Sequence, residues 1–238
     1  ISCGDEHSAV ICQSGRLFVF GSNDWGQLGL GHKNHISKPS CVKGDSGPTG
    51  SKIVQIVAGS HHSLALTSDG NVFAWGSNLE GQLGLPDISG LVNKPTKVHI
   101  PEPVKRINTG YYHSIFLTEN GLVYVCGESE SGKLGIDINF STQNPFHGTN
   151  VTELHTPKLL SQGALKNERI SRISCGESHT AILTTESGKL YTCGDGRHGK
   201  LGLEENENNV HELTFVQRYK QLFISNISCG GCHTILIG

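Results

Sequence analysis

Apolar and polar positions alternate along this chain in short runs. Representative runs are His7-Ser-Ala-Val-Ile11, Leu17-Phe-Val-Phe20, His62-Ser-Leu-Ala-Leu66, Val72-Phe-Ala-Trp75 and Val123-Tyr-Val-Cys126. Period-2 alternation of β-branched and aromatic residues, bounded by Gly, Asn, Asp and Pro, predicts short strands joined by tight turns. Long apolar stripes at the helical period are hard to find. The pattern predicts an all-β chain.

The runs also recur as a set. A small residue, Gly, two variable residues, His and Ser or Thr open each copy, at Gly4–His7, Gly59–His62, Gly110–His113, Gly176–His179 and Gly230–His233. A Gly-bounded apolar run follows in the first four copies, from Gly15, Gly70, Gly121 and Gly188. A Gly-Gln/Lys-Leu-Gly element comes next, from Gly26, Gly81, Gly132 and Gly199. One more short run closes the unit, headed by Pro39, Pro95 or Pro157, with Leu213-Thr-Phe-Val taking that place in the fourth unit. Each unit therefore supplies about four strands, at a period slightly above 50 residues, which predicts the four-stranded blades of a β-propeller. The expected organisation is one propeller domain with units at about 1–50, 51–101, 102–165 and 166–220 and a partial blade at 221–238. Gly15, Gly70 and Gly121 fall where a hairpin needs positive φ. A Pro at the head of the last strand suits a sheet edge.

These residues resemble the regulator of chromosome condensation repeat, which carries the same C-G-x-x-H-T, L-Y-x-F-G and G-Q-L-G-L elements. The resemblance extends over essentially the whole chain and is strongest to the GTPase-regulator branch of that family. It implies rings of seven blades, so four full units and an opening strand make a fragment or shortened form the expectation. It also implies an interaction scaffold in the cytoplasm, at the cilium or centrosome. The implied partners are a small GTPase of Arf-like type, a prenyl-binding carrier and coiled-coil ciliary proteins. The alternative is a guanine-nucleotide exchange factor for a Ran-like or Rab-like GTPase.

Net charge is −2, without long single-sign runs. That lowers the expectation of nucleic-acid binding, which selects clustered Lys and Arg. No apolar run approaches the roughly 20 residues of a membrane span, and no lipid anchor is expected. The acidic stretch at Glu204, Glu205 and Glu207 and the polar insertion from Asp137 to Glu153 read as solvated loops.

Cys229-Gly-Gly-Cys232-His233 matches the c-type haem attachment pattern. Its Cys229, Gly230 and His233 are repeat positions filled elsewhere by Cys3, Gly4 and His7 and by Cys175, Gly176 and His179, so repeat geometry accounts for it. Zinc needs four converging ligands, and the Cys/His pairs sit on different units. A Cys-His nucleophile would not recur with Ala58 and Thr109 in the Cys place. No cofactor, metal or catalytic residue is assigned. The repeated His is expected to satisfy backbone groups between blades. The eight cysteines, including those in Ser2-Cys3, Ile11-Cys12, Val125-Cys126 and Thr192-Cys193, read as buried thiols rather than disulfides. The sequons at Asn150 and Asn226 read as coincidental, the second lying in strand-like sequence.

The variable pair between Gly and His remains. It reads Asp5-Glu6, Ser60-His61, Tyr111-Tyr112, Glu177-Ser178 and Gly231-Cys232. In the plant ultraviolet photoreceptors of the family this slot carries interaction-face tryptophans, which implies that it projects from one face near the axis. Its acidic and aromatic composition suits a protein-binding face, with carboxylates selecting a basic partner, although ordinary turn residues read the same way. Trp25 is a candidate anchor or a cap over the next blade. Arg197, beside His198 in the corresponding turn of the fourth unit, is a candidate basic spot. The protein-binding candidates are therefore Asp5, Glu6, Trp25, His61, Tyr111, Tyr112, Glu177 and Arg197.

Overall fold

A computed structural model describes residues 1–42, 51–136, 153–160, 165, 168–203 and 208–238. The first unit forms β1 (Ser2–Cys3), β2 (His7–Ile11), β3 (Leu17–Gly21) and β4 (Ile36–Cys41). The second forms β5 (Ile53–Ala58), β6 (His62–Thr67), β7 (Val72–Ser77) and β8 (Leu91–Val98). The third forms β9 (Val104–Thr109), β10 (His113–Thr118), β11 (Val123–Glu128) and β12 (Glu153–Leu159). The fourth forms β13 (Ile170–Cys175), β14 (His179–Thr184), β15 (Leu190–Gly194) and β16 (Val210–Phe215), and β17 (Asn226–Cys229) and β18 (Thr234–Ile237) follow. Each set of four is one antiparallel sheet in chain order, and the last two strands form a two-stranded sheet. The expected single opening strand from Ile227 is thus a hairpin.

The sheets are the blades of a β-propeller. First strands are neighbours around the ring, β1 against β5, β5 against β9, β9 against β13 and β13 against β17. The second and third strands are sandwiched between sheets, so β6, β7, β10 and β14 are buried along their whole length. The core runs from blade to blade, through Leu64, Trp75 and Phe116, then Ile115, Leu134 and Ile182, then Leu183, Val216 and Ile224.

Gly15, Gly70 and Gly121 have φ of +82°, +79° and +84°, as the hairpin pattern predicts. The prolines lie inside β4, β8 and β12 and not at their heads, because each of those strands starts several residues earlier. All three strands end their sheets' strand order, where a missing N–H costs least.

Antiparallel connectivity sorts the turns. Those joining first to second and third to fourth strands share one face, and the β2–β3, β6–β7, β10–β11 and β14–β15 turns occupy the other. The insertion from Asp137, the acidic stretch from Glu204 and the Asn150 sequon lie, wholly or mostly, outside the described residues. The Asn226 sequon opens β17. All eight cysteines are free thiols. Cys126, Cys175 and Cys193 are buried and Cys12, Cys41 and Cys229 half-buried, whereas Cys3 and Cys232 are exposed, so the buried-thiol reading fails for those two.

Candidate protein-interaction face

A clasp joins each blade to the next and holds the turns of one face in place. His7 Nε2 bonds Ser63 Oγ at 2.9 Å, and Ser63 donates to the Gln27 carbonyl at 2.9 Å. His62, Ser114 and Gln82 repeat the arrangement, as do His113, Thr180 and Lys133, and His179, Thr234 and Lys200. Since the hydroxyl hydrogen goes to the carbonyl, the ring must donate through Nε2–H, leaving Nδ1 bare. Those Nδ1 atoms are buried without a partner, beside the space that a Cβ on the preceding repeat glycine would fill. The expected backbone role of the histidine is therefore indirect, exerted through a hydroxyl.

Burial holds His7 and His179 down to about 4 and His62 to about 3, and His113 well below its ordinary value. A Cβ on Gly4, Gly59, Gly110 or Gly176 would overlap both the clasp ring and the carbonyl oxygen of the next unit's glycine. The buried thiols take part too. Cys126 and Cys193 occupy the place of Trp75, whose Nε1 donates to the Gln27 carbonyl at 2.8 Å, and their sulfurs face the Gln82 and Lys133 carbonyls. Burial pushes both thiols up, so they serve as apolar fillers and weak donors.

The third-to-fourth strand turn has two designs, which the repeat comparison missed. Units one and two pair Ser22 with Gln27 and Ser77 with Gln82 by position, and the Gln Oε1 accepts the backbone N–H of Trp25 or Glu80 at 3.0 and 2.9 Å. Units three and four place Glu128 with Lys133 and Asp195 with Lys200 there, as ion pairs whose lysine side chains are only 3% exposed. Lysine cannot accept a hydrogen bond, and in these units the residue before the glycine turns left-handed, Ser131 at φ 61° and His198 at φ 62°. Reading the two columns together would have exposed the exchange, because Gln becomes Lys only where Ser becomes Asp or Glu.

On this frame the candidates assemble unevenly. Trp25 packs on His61 of the next unit with ring centroids 5.6 Å apart, and His61 stacks with Tyr112 of the third at 6.5 Å. Tyr111 meets Tyr112 edge-on at 6.1 Å. Asp5 accepts from the buried Ser60 hydroxyl at 2.8 Å, which also contacts His61 Nδ1 at 2.8 Å. The Asp5 carboxylate, with burial and Glu177 adding to it, pushes the Tyr111 phenol up. Tyr111 N–H also donates to the Glu177 carbonyl at 3.4 Å. Asp5, Trp25, His61, Tyr111, Tyr112 and Glu177 thus form one aromatic and acidic patch across four units, with Asp5 exposed and the rest half-buried. Glu6 is exposed on the same face without a described contact to the patch.

Arg197, the candidate basic spot, stays exposed at its turn but is held by Asp195. It is bound to Asp195 by Nε, by its backbone N–H and by a 2.9 Å ion pair from Nη2. The Arg197 bonds hold the Asp195 carboxyl well below its ordinary range, with Lys200 adding to the effect. Leu79 is a face residue that sequence reading missed, 50% exposed in the β7–β8 turn. It occupies the position of Asp24 in the first unit, and an isolated Leu in a turn carries no periodicity signal.

Comparison with known proteins accords with this architecture. The RCC1-like domain matches residues 1–238. The human X-linked retinitis pigmentosa GTPase regulator is 36% identical over 334 aligned positions, covering 99% of this chain and 32% of that protein. Human probable E3 ubiquitin-protein ligase HERC6 is 38% identical over 241 positions, covering 99% of this chain and 22% of its own length. The first alignment is longer than the chain itself, so it passes over segments of that relative without counterparts here. The chain spans about a third or less of these relatives. Among solved structures, Prp20p of Saccharomyces cerevisiae shares the fold with a TM-score of 0.81 at 23% identity, over 98% of this chain and 54% of that one. With the domain matched from end to end and the repeats built as propeller blades, the chain belongs to the RCC1-like domain family.

Proposed function

We propose that this propeller is a protein-interaction scaffold that engages a small GTPase, or the carrier of one, through the face bearing Asp5, Glu6, Trp25, His61, Tyr111, Tyr112 and Glu177. The carrying observation is the run of four aromatic rings, Trp25, His61, Tyr112 and Tyr111, packed across three units beside Asp5. Partly exposed aromatics in a fixed frame lose little conformational freedom on binding, and flanking carboxylates favour a basic partner. Rigid display is the mechanism, with no covalent chemistry. Similarity to a GTPase regulator supports the partner class. Within that class the proposal takes an Arf-like GTPase, a prenyl-binding carrier and coiled-coil ciliary proteins as the partners. A cytoplasmic site of action at the cilium or centrosome belongs to the same reading. A single propeller domain built of the units set out above is also part of it.

The second reading is nucleotide exchange on a Ran-like or Rab-like GTPase. Asp5, Glu6 and Glu177 on one face favour it, since exchange needs groups that compete for the nucleotide's phosphate and magnesium site. Prp20p, which shares the fold, is characterised for its binding to Gsp1p and histones.

Mixing the protein with small GTPases loaded with fluorescent GDP separates the two. The scaffold reading predicts stable binding with no faster release. Accelerated release at substoichiometric protein replaces it with exchange, and no binding to any GTPase or carrier removes both.

A further inference from the structure

The axial wall between the third and fourth blades carries two arginines that the interaction face does not use. Arg106 on β9 and Arg172 on β13 stand four residues before their repeat glycines, where β5 has Gln55 and β17 has Asn226. Gln55 shows what this position does. Its Nε2 donates to the Ile107 carbonyl at 2.8 Å and its Oε1 accepts the Ile107 N–H at 3.1 Å, so it stitches β5 to β9.

Two residues further on, the same side of each strand again faces the next blade, with Ser2, Asn108 and Ser174 accepting the backbone N–H of Ala58, Cys175 and Cys229. The Asn108 bond sets the register of β9 on β13 and places Arg106 against the segment of β13 that holds Arg172.

A guanidinium has donors only and cannot repeat the Gln55 stitch. Arg106 Nε is buried with no hydrogen-bond partner. Among the described residues neither arginine enters an ion pair, and burial, with the like charge of Arg172 adding to it, pushes the Arg106 guanidinium below its ordinary value. Two positive charges on neighbouring inner strands, with no carboxylate of the described residues paired to either, leave a charge balance that an anion can supply.

We propose that Arg106 and Arg172 form an anion site on the axial wall, taking a small tetrahedral oxyanion of the phosphate class. Two unit positive charges match a phosphate dianion better than a single carboxylate, and phosphate offers enough oxygens for both forks. The site is separate from the face turns, since it lies partway along the inner strands.

Isothermal titration with inorganic phosphate and with pyrophosphate, at ionic strength held constant with chloride, tests this. The expected result is saturable binding with about one anion per chain, weakened at least tenfold in Arg106→Gln and in Arg172→Gln. Glutamine is the choice because the second blade folds with it at this position. In anion-free buffer Arg106→Gln is expected to melt no lower than the parent, having lost a like-charge contact. Acetate at the same ionic strength is expected to bind more weakly than phosphate. Absence of saturable binding overturns the site, as does unchanged affinity in the double glutamine variant. Acetate binding as tightly as phosphate overturns the phosphate assignment.

Discussion

One histidine per unit decides how the blades meet. The ring of His113 bonds Thr180 at 3.0 Å, and Thr180 passes its own hydrogen to the Lys133 carbonyl at 2.7 Å, so a single side chain fixes three segments of two blades. Replacing it removes packing and orphans a buried hydroxyl. His113→Ala is expected to lower stability by about 2–4 kcal/mol, the range for a large buried side chain lost with its hydrogen bond. Urea unfolding checks this, and a loss under about 0.5 kcal/mol would reduce the clasp to decoration. The glycine beneath the ring, Gly110, has no such latitude, since a methyl there meets ring and backbone together.

The turns between third and fourth strands show an exchange made within one chain. Ser with Gln in two units and a carboxylate with Lys in two others fill the same space. Glu128→Ser alone leaves a buried ammonium unpaired, and Lys133→Gln alone strands the carboxylate. Removing one partner of a buried pair typically costs about 3–5 kcal/mol, most of it from the charge left behind. The double variant copies the neutral units and is expected to recover at least half of the loss of Glu128→Ser, read as a double-mutant cycle in thermal or urea unfolding. Additive losses would show that the pair acts as two independent residues. Strand content was legible in sequence because every unit repeats the same alternation, and the hairpin glycines had one steric explanation. The exchange was not, because each column looks unremarkable until two columns are compared. The inter-unit contact of Trp25 with His61 was equally hidden, since it joins different turns of successive units and no local spacing encodes it.

At the scale of the molecule, the four clasp histidines set the response to acid. Each is held well below the ordinary 6.5, mainly by burial, so the folded state binds fewer protons than the unfolded chain over that interval. Their stabilising contribution is complete above about pH 6.5 and declines as pH falls toward about 4. Glu80 works in the opposite sense, its carboxyl pushed up by burial and by Glu153 and Glu128, and it is relieved by acid. One site against four leaves a net loss. Unfolding free energy is expected to fall between pH 6.5 and pH 4, the decline shrinking in His113→Ala relative to the parent. A flat profile over that window would contradict neutral buried clasps.

The candidate face is an assembly property too, since its rings come from three units and its carboxylates from the first and fourth. Its central claim is that the aromatic patch carries binding. The direct measurement is the dissociation constant of the GTPase or carrier retained in the nucleotide-release panel, compared between the parent, a Trp25→Ala/Tyr112→Ala double variant and Glu119→Ala. Glu119 is exposed in the β10–β11 turn on the opposite face. The account predicts at least a tenfold weakening in the double variant, about 1.4 kcal/mol or more, with Glu119→Ala binding like the parent. Parent-like affinity in a folded double variant, or equal weakening by Glu119→Ala, would contradict it.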